Sequence, residues 1–412
     1  MKQLLLILSI LAILSCQNND QTKLESKEYP YIVDFSEVEY TQEPQCISEF
    51  SDTIEYIRLS DDILLPDPCE LSIVLDNDNN IYIEHDRIEK FNPTGEYIKS
   101  LYNIGQGPKE ISNKLLPAAY GFDENIVYID DFGKEEYSKF TLNGDYLGKV
   151  KRKDSIGHYR TYIAILNKRA IYYYQGDLNF FYLRHKFNGM DFNPDGKYLF
   201  FSNNLLTDSV EYRHENKNYK IKANGHSNSI TFSHGWPILY GYIDSNVWLR
   251  HSHHYTIYRS TNAINFTPWY EIIPHSQMGD YKFMINEQID AITRTELNSK
   301  HYLEGIIATD VGIFFSYSVG LWNKYGIGFC HKNEKAKSYS DKPFKNDLDE
   351  YLPQLDFSYS LFNTNKSFQK NGYLYLLVEA YKFFEDGAKP PFTDLTEDSN
   401  PIVVKIKLKC KD

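Results

Sequence analysis

The sequence predicts an all-β protein built as a six-bladed β-propeller, with a seven-bladed propeller as the alternative. Three observations favour this fold: a hairpin motif repeated at near-equal spacing, a high content of strand-forming aromatic residues, and apolar–polar alternation near both ends of the mature chain. The 412 residues include 35 tyrosines and 25 phenylalanines. Aromatic side chains are enriched in strands, so their high number here indicates sheet structure.

The repeated motif has the pattern F-x-x-x-G-x-Y. It begins at Phe91, Phe140 and Phe192, so the copies lie 49 and 52 residues apart (140 − 91 and 192 − 140). Glycine near the end of a tight turn supplies backbone angles that other residues avoid, and each copy therefore predicts a hairpin. A period of about 50 residues containing four short strands is typical of one propeller blade.

Runs of β-branched and aromatic residues recur along the whole chain, including the half that lacks the motif. They occupy residues 81–83, 127–129, 171–173, 247–249, 313–315 and 373–375. We expect these runs to be the inner strands of six blades, and a further blade within residues 200–245 would make seven. The wider spacing of the later runs predicts longer loops in the second half.

The two ends of the mature chain are predicted to pair. Residues 53–59 (TIEYIRL) and 402–408 (IVVKIKL) alternate between apolar and polar side chains. An open ring would leave its edge strands exposed, so we expect these segments to pair antiparallel within one blade. The pairing would place Cys46 and Cys410 at the same end, where a disulfide could form. With Cys69 and Cys330 there are three complete pairings, and the spacing alone does not choose among them.

The first residues predict export and lipidation. Residues 1–15 contain Lys2 and an apolar run at 4–14, which has the length of a signal peptide and is too short to span a bilayer. The following Cys16 completes a tetrapeptide, ILSC, that resembles the lipobox of bacterial lipoproteins, in which the cysteine is acylated. The alternative is an ordinary cleavage site beside an incidental cysteine. We expect residues 16–45 to be the lipidated end and a flexible tether, and residues 46–412 to be a single propeller domain.

Three further segments resemble the six-bladed β-propeller lipoproteins of Gram-negative gut-type bacteria, which are related to the NHL-repeat and TolB-like propellers. Residues 105–110 (GQGPKE) are similar to a G-x-G-P-x-E segment of that family, and residues 56–59 (YIRL) resemble its opening strand. Residues 346–353 (NDLDEYLP) resemble a late motif, although Glu350 and Tyr351 stand where the family commonly has glycines. The resemblance implies a six-bladed propeller and a place in the cell envelope. The resemblance implies no particular activity, because members of the family mostly lack an assigned one.

No catalytic residue, metal ligand or cofactor site is predicted. Residues 76–80 (DNDNN) begin like a calcium loop, but Ile81 and Arg87 stand where that loop needs glycine and glutamate, so a turn is the better interpretation. Asp130 and Asp131 end a predicted inner strand. They are interpreted as exposed turn acids, with a metal site lining the central channel as the alternative.

Two other groups of residues were weighed as ligand contacts. His251 and His253 would share one face of a strand, with His254 beside them, and could bind a metal. Solvated or hydrogen-bonded histidines are the expected outcome, because no carboxylate at a convincing spacing completes the site. The four tryptophans, Trp236, Trp248, Trp269 and Trp322, are expected to serve in packing more often than in ligand contact.

The sequence therefore favours a binding module over an enzyme. We expect a lipoprotein of the outer membrane that presents a rigid face of loops to a glycan, a peptide or an envelope protein. The alternative is a metal-dependent, lactonase-like hydrolase or a lyase with its site in the central channel; a structural part of an envelope assembly is a third class. Nucleic acid is excluded as a partner by the net charge of −12, because phosphates require a basic surface.

Overall fold

The computed structural model describes residues 29–151, 159–166, 169–175, 180–183, 210–214, 217–221, 238–251, 255–262, 266–278, 299–320, 324–362, 366–385 and 388–411. Within these ranges the chain is almost entirely β, as predicted. Its strands are short and joined mainly by tight turns. Helical structure in the same ranges consists of one short α-helix, α1 (Ser358–Phe362), and single 3₁₀ turns such as Ile47–Glu49.

In chain order the strands are β1 (Tyr31–Asp34), β2 (Glu39–Tyr40), β3 (Ser51–Arg58), β4 (Ser72–Leu75), β5 (Ile81–Glu84), β6 (Ile88–Phe91), β7 (Tyr97–Ser100), β8 (Ala119–Gly121), β9 (Ile126–Asp131), β10 (Glu136–Thr141), β11 (Tyr146–Lys151), β12 (Tyr159–Leu166), β13 (Arg169–Gln175), β14 (Phe180–Leu183), β15 (Val210–His214), β16 (Lys217–Ile221), β17 (Ile238–Ile243), β18 (Asn246–His251), β19 (Thr256–Ser260), β20 (Thr267–Ile273), β21 (His301–Ala308), β22 (Gly312–Val319), β23 (Lys324–His331), β24 (Glu334–Lys335), β25 (Ser338–Tyr339), β26 (Phe344–Lys345), β27 (Gln354–Leu355), β28 (Ser367–Lys370), β29 (Tyr373–Val378) and β30 (Ile402–Leu408).

These strands form antiparallel meanders that we call units. Unit 1 is β4–β7, unit 2 is β8–β11, unit 3 is β12–β14, unit 4 is β17–β20, unit 5 is β21–β23, and unit 6 is β28–β30 together with β3. Between units 3 and 4 lies a separate hairpin of β15 and β16. The first strands of several units contact one another: β4 with β28, β8 with β12, and β17 with β21 and β28. The units are therefore arranged around a common axis, which makes the fold propeller-like.

The repeated motif forms the same hairpin in units 1 and 2. Phe91 faces Tyr97 across the hairpin, and Phe140 faces Tyr146. The ring centroids lie 5.6 Å apart in the first pair and 5.5 Å apart in the second, with interplanar angles of 65° and 67°. The two copies therefore occupy equivalent places, as predicted. The third copy, which begins at Phe192, lies outside the described residues.

The glycine of the motif is required both by the turn and by the neighbouring unit. Gly95 and Gly144 have φ angles of +88° and +82°, a region that favours glycine. A Cβ atom on Gly95 would overlap the carbonyl oxygen of Arg58, at the end of the outer strand of unit 6. A Cβ on Gly144 would lie 2.9 Å from the carbonyl oxygen of Leu101, just after the outer strand of unit 1. Each turn thus packs closely against the preceding unit.

The predicted strand runs all lie in strands, but their position in the sheet was predicted wrongly. They fall in β5, β9, β13, β18, β22 and β29, each of which is the second strand of its unit. The strands nearest the axis are those that precede them. The inner strand of unit 2, Ala119–Gly121, has only three residues, too few to show an apolar pattern. The second strands of units 1, 2 and 5 are buried along nearly their whole length on both faces, and such continuous apolar runs give the strongest sequence signal.

The predicted pairing of the chain ends is present. β3 runs antiparallel to β30, with Tyr56 opposite Val404 and Arg58 opposite Ile402. β30 in turn pairs with β29, so the N-terminal strand is the outer strand of the last unit. Val403 and Val404 are fully buried, which shows that the pairing belongs to the core.

The N-terminal segment is more ordered than predicted. Residues 29–50 form a belt along the outer edges of units 4 to 6. β1 pairs parallel with β20 of unit 4, and β2 pairs parallel with β25 beside unit 5. The expectation that residues 16–45 form a flexible tether is therefore corrected for residues 29–45. The belt strands have only two to four residues, and in the polar surroundings of the sequence they showed no strand pattern.

No helix within the described ranges combines the length and apolar character needed to cross a lipid bilayer.

The role of the motif glycine can be tested with a matched pair of variants. Gly95 and Gly372 both have positive φ angles, but a Cβ on Gly372 would meet no atom within 4 Å. We expect Gly372→Ala to lower the free energy of unfolding by about 1–2 kcal/mol through backbone strain. Gly95→Ala should lower it by about 1–3 kcal/mol more, because the new methyl group overlaps unit 6. Urea unfolding measures both values, and equal losses would contradict the packing described.

Candidate functional site

The loops that join the second and third strands within a unit lie on the same face as the loops that join successive units. This follows from the antiparallel meander, in which the strands reverse direction at every turn. Contacts between the two sorts of loop confirm it: Lys134 Nζ donates to the carbonyl oxygens of Gly107 (3.2 Å) and Glu110 (2.9 Å). The Tyr102 hydroxyl donates to the carbonyl oxygen of Asp86 at 2.7 Å. We call this side of the molecule the upper face.

Residues 105–110 form a rigid turn on the upper face. The Gly107 amide donates to Glu110 Oε2 at 2.8 Å, and the Gly105 amide donates to the carbonyl oxygen of Ile111 at 3.0 Å. Side chains on either glycine would collide with the Glu110 carboxylate. The G-x-G-P-x-E pattern is thus accounted for by local packing, with the carboxylate folded over its own turn, and requires no ligand.

Among the described residues, aromatic rings from three units meet at the axis. Phe122, just after the first strand of unit 2, lies 5.5 Å from Tyr242 of unit 4 and 5.6 Å from Phe368 of unit 6, measured between ring centroids. Tyr120 stacks on Phe122 at 5.7 Å, and its amide donates to the Tyr242 hydroxyl at 3.2 Å. At this level the rings of units 2, 4 and 6 contact one another.

A buried polar group lies beside these rings. Glu84 forms an ion pair with Lys114 (2.8 Å) and accepts hydrogen bonds from a backbone amide (2.6 Å) and the Tyr120 hydroxyl (3.0 Å). Lys366 donates to the carbonyl oxygens of Cys69 and a neighbouring residue, and burial lowers its pKa to about 8. Both charged groups are held by several partners, so they tie units 6, 1 and 2 together and are poorly placed to react.

The acidic pair at 130–131 is not at the axis, so the alternative of a metal site lining the central channel is wrong. Both side chains are fully buried at the end of β9, which is a second strand. Asp131 Oδ1 accepts a hydrogen bond from the Ser112 amide at 3.1 Å, and Oδ2 lies 3.2 Å from Lys134 Nζ. The interpretation as exposed turn acids is therefore also wrong. Asp131 secures the loop between units 1 and 2.

The DNDNN segment is the predicted turn. Asp76 Oδ1 accepts hydrogen bonds from the amides of Asp78 (3.0 Å) and Asn80 (2.9 Å), and Asn79 adopts a positive φ of +64°. His251 ends β18, whereas His253 and His254 lie outside the described residues. In the described ranges, no three His, Cys, Asp or Glu side chains are grouped closely enough to hold a metal ion.

Trp248 and Trp269 are buried, as expected for packing residues, and the Arg259 guanidinium lies 5.1 Å from the centre of the Trp269 ring. Trp236 and Trp322 lie outside the described ranges.

The late motif at 346–353 holds the N-terminal belt. Asp349 accepts hydrogen bonds from the Tyr56 hydroxyl at 2.9 Å and from the Asn346 side-chain amide at 2.9 Å. Asp347 accepts one from the Ser48 amide at 2.9 Å. The motif thus fastens the segment that leads into β3, and its acidic residues have structural partners.

The two cysteines proposed to form a disulfide lie near the paired chain ends. The backbone of Cys46 forms an isolated β-bridge with Lys345, just before the turn that ends at Phe50. The Lys409 amide, next to Cys410, donates to the Phe50 carbonyl oxygen at 3.0 Å. Both thiols are free in this structure. A bond between them stays a prediction for the oxidised protein.

Six of the twelve large apolar side chains that are exposed in the described residues lie on loops of the upper face of units 6, 1 and 2. We call them the upper apolar residues: Leu64, Ile104, Leu115, Phe132, Tyr381 and Phe384. Leu64 is 81 % exposed and Leu115 is 58 % exposed. The Phe132 amide donates to the carbonyl oxygen of Asn113 at 2.8 Å, so Phe132 and Leu115 belong to adjoining loops. These residues are not predictable from the sequence, because single apolar side chains in polar loops give no pattern.

Unit 5 carries a second group of polar side chains at the upper end of its inner strand. His301 stacks on His275 with a centroid distance of 3.8 Å, and its Nδ1 lies 3.0 Å from the Tyr317 hydroxyl. Burial, assisted by His275, lowers the pKa of His301 to about 4. Glu304, three residues later, accepts a hydrogen bond from the Ser318 hydroxyl at 2.6 Å, and burial raises its pKa.

The radial units and the paired ends define an all-β, propeller-like protein. Within that class, the chain belongs to the family described as a domain of unknown function, DUF4934, whose model matches residues 30–407. No curated protein sequence matches the chain.

Solved structures resemble the chain over most of its length. An exported-protein candidate from Bacteroides fragilis is 14 % identical, with a TM-score of 0.53 over 92 % of this chain and 99 % of its own. A member of the DUF4221 family from Bacteroides vulgatus is 10 % identical, with a TM-score of 0.44 over 88 % and 98 %. Virginiamycin B lyase from Staphylococcus aureus is 11 % identical, with a TM-score of 0.33 over 87 % and 99 %. At 14 % identity, the similarity to the Bacteroides fragilis protein concerns the fold alone. The other two structures have TM-scores below 0.5 and support no conclusion about this chain.

The histidine pair gives a pH dependence whose sign can be stated. Because the pKa of His301 falls from 6.5 to about 4 on folding, the unfolded chain binds a proton between these pH values that the folded protein does not. The contribution of His301 to stability is therefore present above pH 6.5 and is lost as the pH falls toward 4. We expect the fall in unfolding free energy between pH 6.5 and 4 to be smaller in His301→Gln. Parallel curves for the two proteins would contradict this.

Proposed function

We propose that this protein is an envelope lipoprotein, anchored through Cys16, whose six-bladed propeller binds a protein or peptide partner with the upper face of units 6, 1 and 2. The observation that carries the proposal is the concentration of the upper apolar residues on loops of one face. Large exposed apolar areas are uncommon on monomeric proteins and often mark interaction sites.

The chemistry of these residues favours a protein partner over a glycan. Leu64, Ile104 and Leu115 offer apolar surface without hydrogen-bonding groups, which suits the buried centre of a protein interface. Phe132, Tyr381 and Phe384 add aromatic rings, the side chains enriched in such centres. The loops of units 1 and 2 are bonded to one another, since Lys134 donates to the Glu110 carbonyl oxygen and the Ser112 amide donates to Asp131. A rigid surface loses little entropy when it binds.

The rival proposal, a metal-dependent hydrolase or lyase, places its site in the central channel. That site requires an open axis lined by several carboxylates or histidines. The rings of Tyr120, Phe122, Tyr242 and Phe368 meet at the axis instead. The packing of the described residues therefore supports the binding module.

Site-specific cross-linking in intact cells tests the proposal. A photo-reactive phenylalanine analogue is placed at Leu115, at Phe132, or at Leu147. Leu147 is a matched control because it is similarly exposed, 47 % against 44 % for Phe132, but lies on the outer strand of unit 2. We expect positions 115 and 132 to capture the same protein and position 147 not to capture it.

A double variant, Leu115→Ser with Phe132→Ser, completes the test with the cross-linker placed at Ile104. Both substitutions are on the surface, so we expect the unfolding free energy to stay within about 0.5 kcal/mol of the parent. Capture at Ile104 should nevertheless be lost. Equal capture at all positions, or undiminished capture in the double variant, would refute a docking role for this face.

Lipid anchoring has its own test. We expect the full-length protein to incorporate labelled fatty acid and to remain with the membrane fraction, because acyl chains contribute about 0.8 kcal/mol per buried CH₂. Cys16→Ser should abolish labelling and release the protein from the membrane. Cys69→Ser, a substitution of a partly exposed cysteine within the described residues, should change neither result. Labelling that persists in Cys16→Ser would disprove the assignment.

A further inference from the structure

Glu304 occupies a β-bulge at the upper end of the inner strand of unit 5. Leu303 lies opposite Tyr317 and Gly305 lies opposite Ser316, so Glu304 is an extra residue without a partner on β22. Bulges of this kind redirect a side chain and are common beside functional sites. The neighbouring Gly305 lets the bulge approach α1 closely, because a Cβ there would lie 2.5 Å from the carbonyl oxygen of Leu361.

The carboxylate is held at one oxygen and lacks a partner at the other. Ser318 Oγ donates to Oε1 at 2.6 Å. Oε2 is buried and has no hydrogen-bond partner among the residues that the structure describes. Burial raises the pKa of Glu304 and the Ser318 hydrogen bond lowers it, and no cation among the described residues contributes. A half-buried negative charge without a cation costs free energy, which a bound positive group would offset.

Tyrosines lie within electrostatic range of the carboxylate. Burial, followed by the charge of Glu304, raises the pKa of Tyr302 to about 12. Burial raises the pKa of Tyr325 as well, with Glu304 and Asp356 as the next causes. The surroundings of Glu304 are thus anionic and aromatic, a combination that attracts organic cations.

We propose that Glu304, with Ser318 and the neighbouring tyrosines, binds the ammonium group of a ligand at the upper end of unit 5. An organic ammonium fits better than a metal ion, since Ca²⁺ takes six to eight oxygen ligands and the described residues offer one carboxylate here. The site is separate from the upper apolar residues, which lie on units 6, 1 and 2. Ser318 is a positioning residue that fixes the carboxylate through Oε1.

Ligand-observed NMR on the mature protein tests the site with n-butylammonium as the probe. n-Butanol has the same length and no charge. We expect n-butylammonium to bind at millimolar concentration and n-butanol to bind at least 10-fold more weakly. If the alcohol binds equally well, the site recognises only an apolar chain and the proposal fails.

Two variants separate a specific site from attraction to the acidic surface. Glu304→Gln should weaken n-butylammonium binding at least 10-fold. Glu271→Gln is the control, because it removes the same charge from a carboxylate that also accepts a hydroxyl hydrogen bond, from Thr256 at 3.4 Å. It should change the affinity less than 2-fold. Equal effects of the two substitutions would show that the net charge of −12 is responsible, and would overturn the inference.

A third variant covers a failure of Glu304→Gln to fold, which thermal unfolding would reveal. Glu304→Asp keeps the charge but withdraws the carboxylate by one methylene, away from Ser318. It should weaken n-butylammonium binding several-fold while n-butanol binding is unchanged. Unaltered n-butylammonium affinity in Glu304→Asp would contradict a role for the position of this carboxylate.

Discussion

The antiparallel pairing of β3 with β30 is the constraint on which the arrangement of the units depends. It joins Ser51 to Leu408, residues at nearly opposite ends of the folded chain, and it gives unit 6 its outer strand. Unit 1 then packs against this strand through the turn at Gly95. Contacts between such distant residues are slow to form, because the intervening chain must first become ordered. The last strand is therefore needed before either end of the chain has its final neighbours.

The aromatic packing at the axis favours the upper face, and not the centre of the molecule, as the binding surface. Where Tyr120, Phe122, Tyr242 and Phe368 meet, the described residues form a core. Most charged groups close to this core are occupied: Glu84 binds Lys114, and Lys366 binds backbone carbonyls. The candidate binding surfaces lie further from the axis, on the loops between units and at the bulge of unit 5. Apolar contact and charge recognition are thus available on different sectors of one face.

The fold could be predicted from the sequence because its strongest signals come from local structure. The turn at Gly95 needs a positive φ, and the alternation in β30 reflects one buried and one exposed side, so both are visible in a single chain. The inner strand Ala119–Gly121 was missed because three residues are too few to show periodicity. The belt was not predicted because β1 and β2 are also short and owe their extended conformation to pairing with β20 and β25.

The candidate sites were less predictable than the fold. Glu304 owes its environment to a shift of register between two strands, and a shift of register leaves no mark in composition or spacing. The sequence around Leu115 and Phe132 shows no distinctive pattern, and their exposure depends on the tertiary position of their loops. Asp130 and Asp131 illustrate the opposite error, because acids beside a turn usually face water, whereas these two are enclosed by the loops that follow.

The belt also determines how the domain would respond to a mechanical load. Tension arriving from the amino-terminal side reaches β1 first, then β2, and only afterwards β3. The two leading strands share short parallel ladders with their neighbours, whereas β3 is bonded along seven residues and is also held by the hydrogen bond from Tyr56 to Asp349. The belt would therefore peel away from units 4 and 5 before the load reached unit 6, lengthening the connection while the strand that completes unit 6 stayed in place.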